Sequence, residues 1–286
     1  MKSCLKFLST SFLALFASAA FAQTGTPAFA VLGTTAVTCV APGAITGDVG
    51  VSPAGAYTPG ACVIDGTAHF NDPAAAAART AFLNAYAKLQ LTPCTRTFVR
   101  DTPTGGNAFT GQALSLEPGV YCFEAAATFT DTTLTLDGPS TGIWIFKIGT
   151  AEPGALTGTR FTVLGGDKCN VTWWVDAAAS MSNSNVVGSI LAGTAVTLTE
   201  GGTLKGNAWA KTAVSIEGTV VTGCDAPSAV SDGVLVCKVK KHHKHKKGHG
   251  HDGDDHDHDD DDDDDDDDKD DRGGKNGKKQ GKRSHK

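Results

Sequence analysis

A unit of about 18 residues recurs in the middle of the chain. Thr194-Ala195-Val196-Thr197-Leu198 is followed twelve residues later by Gly206-Asn207-Ala208-Trp209-Ala210, and the pattern restarts at Thr212-Ala213-Val214-Ser215-Ile216. Apolar and polar residues alternate in short runs that are separated by Gly or other small residues. Alternation with a period of two places every second side chain on the inner face of a strand. The repeat therefore predicts three short strands per unit, with successive units stacked as the turns of a three-sided coil.

A second copy of this pattern lies near the start of the chain. Thr35-Ala36-Val37-Thr38 stands twelve residues before Gly47-Asp48-Val49-Gly50-Val51, which is the spacing from Thr194 to Gly206. Parallel ladders would hold such turns about 4.7–4.9 Å apart, and small Ala, Val, Ile and Leu side chains fit a narrow interior. We therefore predict an all-β protein, an irregular three-sided parallel β-helix. An antiparallel β-sandwich is the alternative, but its hairpins would vary in length.

One long α-helix is expected from Asn71 to Leu91. Asp72 can cap the first turn, and Pro73 occupies the first helical position, where its missing N–H costs nothing. Apolar residues recur at helical spacing and form one stripe, made of Ala78, Phe82, Tyr86 and Leu89. Pro93 ends the helix. We expect the stripe to pack along one side of the β-helix; a terminal cap is the alternative.

The first 22 residues have the features of a secretory signal peptide. Lys2 and Lys6 precede an apolar core from Phe7 to Ala20, and Ala20-Phe21-Ala22 resembles a cleavage site, so the mature chain should begin at Gln23. A membrane anchor is the alternative, but no other apolar run approaches the roughly 20 residues of a spanning helix. We expect a secreted, extracellular or periplasmic protein with a signal peptide at 1–22, a β-helix domain at 23–237 and a tail at 238–286.

The tail has a composition unlike the rest of the chain. Lys240 to Lys247 is basic and His-rich, Asp259 to Asp268 is a run of aspartates, and Lys269 to Lys286 is basic again. A segment with so few apolar residues is expected to be disordered. It is either a solvated polyelectrolyte that aids solubility or adheres to charged surfaces, or a weak site for divalent metals. The candidate metal ligands are His242, His243, His245, His249, His251, His256 and His258.

Seven cysteines remain once Cys4 leaves with the signal peptide. Export favours disulfides, and no Cys-x-x-Cys pair indicates a zinc site in the β-helix domain. Pairing of segments that are neighbours in the order of the coils favours the bonds Cys39–Cys62, Cys94–Cys122 and Cys169–Cys224, although sequence alone does not fix the connectivity. Cys237 would then be free or intermolecular.

Charge and residue content argue against several classes of function. From residue 23 to 237 the chain has 9 Lys or Arg against 15 Asp or Glu, so no basic surface for nucleic acid is expected. His69 is the only histidine of that region and is interpreted as a structural contact. No phosphate-binding loop, dinucleotide fingerprint or His-Glu-x-x-His motif is present. We expect no enzyme, no catalytic residues and no required cofactor.

Several segments, taken together and in order, resemble those of one family. They are Ile45 to Pro53, His69 to Ala77, Leu116 to Tyr121, Ile143 to Gly149, Cys169 to Val175 and Gly188 to Gly223. On these residues the chain resembles the bacterial and fungal ice-binding proteins of the DUF3494 family. The resemblance implies a three-faced helix of parallel strands with a long α-helix over one face and no catalytic constellation.

The resemblance also implies that small side chains on a flat exposed face bind the surface of ice crystals. The candidate ice-binding residues are Thr157, Thr159, Ser182, Ser184, Thr199, Thr203 and Thr219. Glu200, Lys205 and Glu217 are expected to interrupt this face. The alternative is an extracellular adhesion or matrix protein that uses the same scaffold to bind cell-surface or matrix polymers, with the tail holding metal or polyanions.

The metal-binding interpretation of the tail predicts a heat of binding when a peptide of residues 238–286 is titrated with zinc, nickel or calcium at neutral pH. Binding of zinc and nickel should weaken below about pH 6.5, because protonated histidine is not a ligand. Isothermal titration calorimetry at neutral and acidic pH measures both effects, and an absence of heat at neutral pH with all three metals would exclude this interpretation.

Overall fold

The computed structural model describes residues 29–40, 42–58, 60, 62–101 and 105–224, together with the backbone of 227–231 and 234–237. The expected signal peptide, the tail with its histidines and the side chain of Cys237 lie outside these residues. The domain boundaries proposed at 22 and 237 therefore stay predictions.

One helix and twenty-five strands make up the described part of the chain. The helix α1 is Pro73–Leu91. The strands are β1 (Phe29–Gly33), β2 (Ala36–Val40), β3 (Ala44–Thr46), β4 (Asp48–Val51), β5 (Ala56–Thr58), β6 (Val63–Asp65), β7 (Ala68–Phe70), β8 (Arg96–Phe98), β9 (Gly106–Thr110), β10 (Ala113–Leu116), β11 (Gly119–Phe123), β12 (Ala126–Thr130), β13 (Thr133–Leu136), β14 (Trp144–Ile148), β15 (Leu156–Thr159), β16 (Thr162–Gly165), β17 (Val171–Val175), β18 (Ala179–Val187), β19 (Ser189–Ala192), β20 (Val196–Lys205), β21 (Ala208–Ala210), β22 (Ala213–Glu217), β23 (Val220–Thr222), β24 (Pro227–Ser231) and β25 (Val234–Cys237).

Each coil contributes strands to three faces. The first face has the order β7-β4-β1-β21-β19-β17-β14-β11-β8. The second face follows β9-β12-β15-β18-β20-β22-β2-β5, and the third follows β10-β13-β16-β18-β20-β23-β3-β6, because the long strands β18 and β20 bend around the corner between these faces. Every pairing between these strands is parallel, and only the short hairpin β24–β25 is antiparallel among the named strands. The prediction of a three-sided parallel β-helix is confirmed, and the sandwich alternative is wrong.

The order of the coils in space differs from their order along the chain. The N-terminal coil packs directly on the C-terminal one, since β1 pairs with β21, β2 with β22 and β3 with β23. Ala36 lies beside Ala213 and Thr38 beside Ser215, so the two distant copies of the repeat are ladder neighbours. The helix then carries the chain from β7, near one end of the first face, towards β8 at the other.

The length of α1 matches the distance it must cover. Its 19 residues span about 28 Å, and the six strand spacings from β7 to β14 span about 28 Å as well. Asp72 caps the start, where its carboxylate accepts a hydrogen bond of 2.8 Å from the N–H of Ala75. At the other end the buried ammonium of Lys147 donates to the carbonyls of Gln90 and Thr92 at 2.9 and 2.7 Å. Burial lowers the pKa of Lys147.

The predicted apolar stripe of α1 packs on the first face. Ala78, Phe82, Tyr86 and Leu89 are all buried, and their neighbours from the face are Phe29, Leu32, Ile145, Trp174, Leu191 and Trp209. The indole N–H of Trp174 donates to the carbonyl of Tyr86 at 3.0 Å. The helix therefore lies alongside the β-helix, as predicted, and is not a terminal cap.

The interior is wider at one end than the sequence suggested. Phe109, Phe129 and Phe161 stack on successive coils with ring centroids 4.9 and 4.5 Å apart. Beside them Phe146 stacks on Trp173 at 4.1 Å. The expectation of small interior side chains holds for the coils near β2 and β22, but it is wrong for the coils between β9 and β17. Aromatic rings there fill a broader cross-section.

Three disulfides join the pairs that the sequence favours. They are Cys39–Cys62, Cys94–Cys122 and Cys169–Cys224, with Cα atoms 5.6, 5.8 and 5.7 Å apart. The first links the N-terminal coil to the coil that follows it. The third holds residue 224, just after the last strand of the third face, to the turn that leads into β17.

Replacement of Phe82 by Ala should lower the free energy of unfolding by about 3–5 kcal/mol, because the ring is fully buried between α1 and the first face. Chemical denaturation followed by circular dichroism measures the change. Asn84→Ala is the control, since Asn84 is exposed on the same helix and should change the value by no more than about 0.5 kcal/mol. Equal effects of the two substitutions would contradict the packing of this helix.

Candidate functional site

The second face presents side chains outward at every other position. On β12, Ala127 and Phe129 are buried, whereas Ala126, Thr128 and Thr130 are only partly covered. Parallel pairing in constant register places the equivalent residues of neighbouring coils side by side. The outward residues consequently form columns that run perpendicular to the strands.

The first column is almost entirely alanine. After Gly106 on β9, it contains one alanine for each coil, namely Ala126, Ala155, Ala178, Ala195, Ala213, Ala36 and Ala56. A methyl group at each step leaves this side of the face low and free of charge.

The central column carries a hydroxyl group on seven successive coils. It begins at Ala108 and continues through Thr128, Thr157, Ser180, Thr197, Ser215, Thr38 and Thr58. The last two residues come from the N-terminal part of the chain, so the column crosses the junction between the two chain regions without a break.

The outer column carries hydroxyls on five coils and then changes character. Its members are Thr110, Thr130, Thr159, Ser182, Thr199, Glu217 and Val40. Together the columns repeat about every 4.8 Å across the strands and about every 6.6 Å along them. We call these three columns the hydroxyl array.

Four of the predicted candidates belong to the hydroxyl array. Thr157 lies in its central column, and Thr159, Ser182 and Thr199 lie in its outer column. The structure therefore brings together four of the seven residues that the resemblance implied.

Ser184 and Thr219 do not belong to an exposed face. Their exposed fractions are only 4% and 3%, because both point into the corner between the second and third faces. The hydroxyl of Ser184 donates to the carbonyl of Ser182 at 2.8 Å and accepts from the N–H of Phe161 at 3.1 Å. That of Thr219 donates to the carbonyl of Gly201 at 3.2 Å. Both hydroxyls satisfy backbone groups at a bend, so their assignment to an ice-contacting face is wrong.

Thr203 is half-buried and lies on a different face. It lies in the second half of β20, on the third face, where its hydroxyl donates to the side-chain oxygen of Asn185 at 2.9 Å. The outward positions of the third face are mixed, with Leu164, Lys205 and Val220 among them. This face lacks the uniform columns of the second.

Of the three charged residues expected to interrupt the face, only Glu217 stands in the hydroxyl array. Lys205 is on the third face. Glu200 lies at the corner with a positive φ of 60°, and its carboxylate accepts a hydrogen bond from Ser182. The corner also holds an ion pair in which Arg160 bonds the Asp131 carboxylate, and this contact lowers the pKa of Asp131.

Several members of the hydroxyl array were not among the ice-binding residues predicted from the sequence. They are Thr110, Thr128, Thr130, Ser180, Thr197, Ser215, Thr38 and Thr58. A signal for most of them exists in the pattern Ala-x-Thr/Ser-x-Thr/Ser, which occurs at Ala126, Ala155, Ala178 and Ala195 and, in part, at Ala213 and Ala36. The flanking buried residues differ at each coil, which hides the pattern from a search for longer identical segments.

The remaining polar groups of the described residues do not meet the requirements of a metal site. Among the described residues, no group of three His, Cys, Asp or Glu side chains is arranged to hold a metal ion. His69 bonds the helix-capping Asp72 at 2.7 Å, which fits the structural role expected for it. Within the part of the chain that the structure describes, no helix has the length and apolar character needed to cross a membrane.

Residues 31–222 match the family model described as Ice-binding-like, and the chain belongs to this family. An ice-binding protein of Nostoc sp. (strain HG1) is 33% identical over 170 residues, which are 58% of this chain and 59% of the relative. An ice-binding protein of Flavobacterium frigoris (strain PS1) is 29% identical over 110 residues, or 38% of this chain and 39% of the relative. The chain thus spans less than two thirds of the length of these curated relatives.

Solved structures with the same fold include proteins from bacteria and fungi. The ice-binding protein of an Antarctic Flavobacteriaceae bacterium is 31% identical and superposes with a TM-score of 0.59 over 68% of this chain and 45% of that one. The ice-binding protein of the ascomycete Antarctomyces psychrotrophicus is 24% identical, with a TM-score of 0.60 over 68% of this chain and 94% of its own. The second likeness shows the fold alone.

Substitution of Ser184 by Ala should lower the free energy of unfolding by about 1–3 kcal/mol, because the buried N–H of Phe161 loses its acceptor. Ser180→Ala is the matched control on the same strand, since its hydroxyl faces outward and its loss should cost no more than about 0.5 kcal/mol. Denaturant titration of both variants measures the difference. A larger loss for Ser180→Ala would contradict the assignment of Ser184 to the corner.

Proposed function

We propose that this protein binds ice through the hydroxyl array of the second face and thereby inhibits the growth and recrystallisation of ice. The observation that carries the proposal is the array itself, in which small Ala, Thr and Ser side chains repeat in two directions over successive coils. Membership in the Ice-binding-like family and the names of its relatives support the same function.

The side chains of the array suit contact with an ordered water layer. Threonine is β-branched and has few accessible side-chain rotamers, so each hydroxyl and methyl group is held in place before binding. A surface that is already ordered loses little conformational entropy when it binds. Each contact is weak, and the binding energy comes from summing many contacts over the area of the face.

The other two faces are less suitable for this role. The first is covered by α1, which packs on it through Phe82, Tyr86 and Leu89. The third exposes Leu164 and Val220 together with Lys205, so its side chains vary in height and charge. The second face combines exposure with regular spacing, and we therefore assign the activity to it.

The proposal includes the setting in which the protein acts. Its partner is the surface of an ice crystal, with no nucleic acid, no cofactor and no catalysis. The sequence pattern of residues 1–22 supports secretion to the extracellular space or periplasm. The relatives give no support to the alternative of an adhesion or matrix protein. Binding of metal or of surface polymers by the tail stays a prediction.

Replacement of Thr197 by Tyr should remove most of the ice-binding activity, because a bulky ring in the central column holds the neighbouring hydroxyls away from the ice crystal. Thr203→Tyr is the matched control, since it makes the same change on the same strand but on the third face. Inhibition of ice recrystallisation and shaping of single ice crystals by the protein from Gln23 onward measure the activity.

Circular dichroism would establish that both variants keep the fold. A protein truncated after Cys237 should retain activity, since the array lies outside the tail. The assignment fails if Thr203→Tyr is the damaging change, or if both threonine variants remain fully active.

A further inference from the structure

We propose that Glu217 and Val40 end the ice-contacting area of the second face, so that only the coils from β9 to β20 contact ice. This inference rests on the proposed function and specifies which part of the hydroxyl array performs it. The feature that points to it is a difference between two neighbouring columns of the same face.

The outer column stops at the coil where the central column continues. Hydroxyls occupy the outer position on β9, β12, β15, β18 and β20, and Glu217 and Val40 then occupy it on β22 and β2. On the same two coils the central column still presents Ser215 and Thr38. The interruption is therefore confined to one column and two adjacent coils.

Glu217 differs from the other acidic side chains near this face. The carboxylate of Glu200 accepts a hydrogen bond from Ser182, and that of Asp131 is paired with Arg160. Among the residues that the structure describes, none forms a hydrogen bond or ion pair with the side chain of Glu217, and the residue is exposed. Within the described ranges the Glu217 carboxylate therefore has no ion-pair partner.

A hydrated carboxylate opposes contact with ice for two reasons. Removal of its water costs free energy that no partner in the face returns. Its side chain is also longer than that of threonine, so it projects above the level of Thr199 and Ser215 and separates them from a flat crystal surface. Both effects act on the coil of Glu217 and on its immediate neighbours.

Val40 extends the interruption by one coil. It pairs directly with Glu217 and is 44% exposed, and it presents two methyl groups at the position where the coils from β9 to β20 have a hydroxyl. The pair lies where the N-terminal coil packs on the C-terminal coil. Beyond it, Thr58 continues the central column, and the pairing of β5 with β2 ends at this residue.

The first test restores the missing hydroxyls. Glu217→Thr should raise the freezing-point depression and the inhibition of recrystallisation above those of the natural protein, and the double change Glu217→Thr with Val40→Thr should raise them further. Glu217→Gln, which keeps the length but removes the charge, should give a smaller gain. Lys205→Thr is the control, because it removes a charge from the third face and should give no gain.

The second test introduces a bulky residue on either side of the proposed boundary. Thr157→Tyr, inside the area, should abolish most of the activity, whereas Thr58→Tyr, beyond it in the same column, should lower the activity far less. Circular dichroism and denaturation of every variant establish that the fold is kept.

The outcomes separate this inference from the proposed function. If Thr157→Tyr and Thr197→Tyr both retain full activity, the proposed function is wrong and the boundary falls with it. If they lose activity but Thr58→Tyr is equally damaging, or if neither Glu217 variant gains activity, the boundary alone is wrong. A gain for Lys205→Thr equal to that of Glu217→Thr would show that replacing an exposed charged residue by threonine raises the activity on either face, and it would also overturn the boundary.

Discussion

The parallel backbone ladder between successive coils is the constraint on which every other feature depends. It sets one strand spacing for all three faces and keeps the register constant, so that residue types repeated in sequence become columns in space. A shift of one residue would turn Thr128 inward and Phe129 outward. The buried rings of Phe129 and Phe161 therefore hold the outward threonines in place as well as filling the interior.

Threonine and serine side chains have different roles on the outer and inner sides of the strands. Thr130 and Thr159 face solvent, whereas Thr132, Ser184 and Thr219 turn inward at the corner and bond backbone carbonyls. The inward hydroxyls allow the chain to bend between two faces without leaving buried polar groups unpaired. The high content of Thr and Ser in the chain therefore has two causes: some of these residues form the exposed array, and others bond backbone groups at the corner.

Much of the fold could be predicted from the sequence, because its signals are local. The repeat of Thr194 and Thr212 indicates coils of fixed length, and Asp72 with Pro73 marks the start of the helix. The choice of face could not be made in the same way, since it depends on where each coil bends. Thr199 and Thr203 are four residues apart on one strand, and the positive φ angles of Glu200, Gly201 and Gly202 between them place the two side chains on different faces. The packing of β1 on β21 was also beyond local signals, because only tertiary structure brings Phe29 to Trp209.

That packing has a consequence for how the chain folds. The carbonyl of Phe29 accepts its hydrogen bond from the indole of Trp209, a residue 180 positions further along. The first strand can pair early with β4, but its other edge stays open until the last coils have formed. Contacts of such long range slow folding, because the entropy of closing the intervening loop is lost before the contacts form. Until the last coils have formed, the N-terminal coil exposes a free strand edge, and two incompletely folded molecules can associate at this edge.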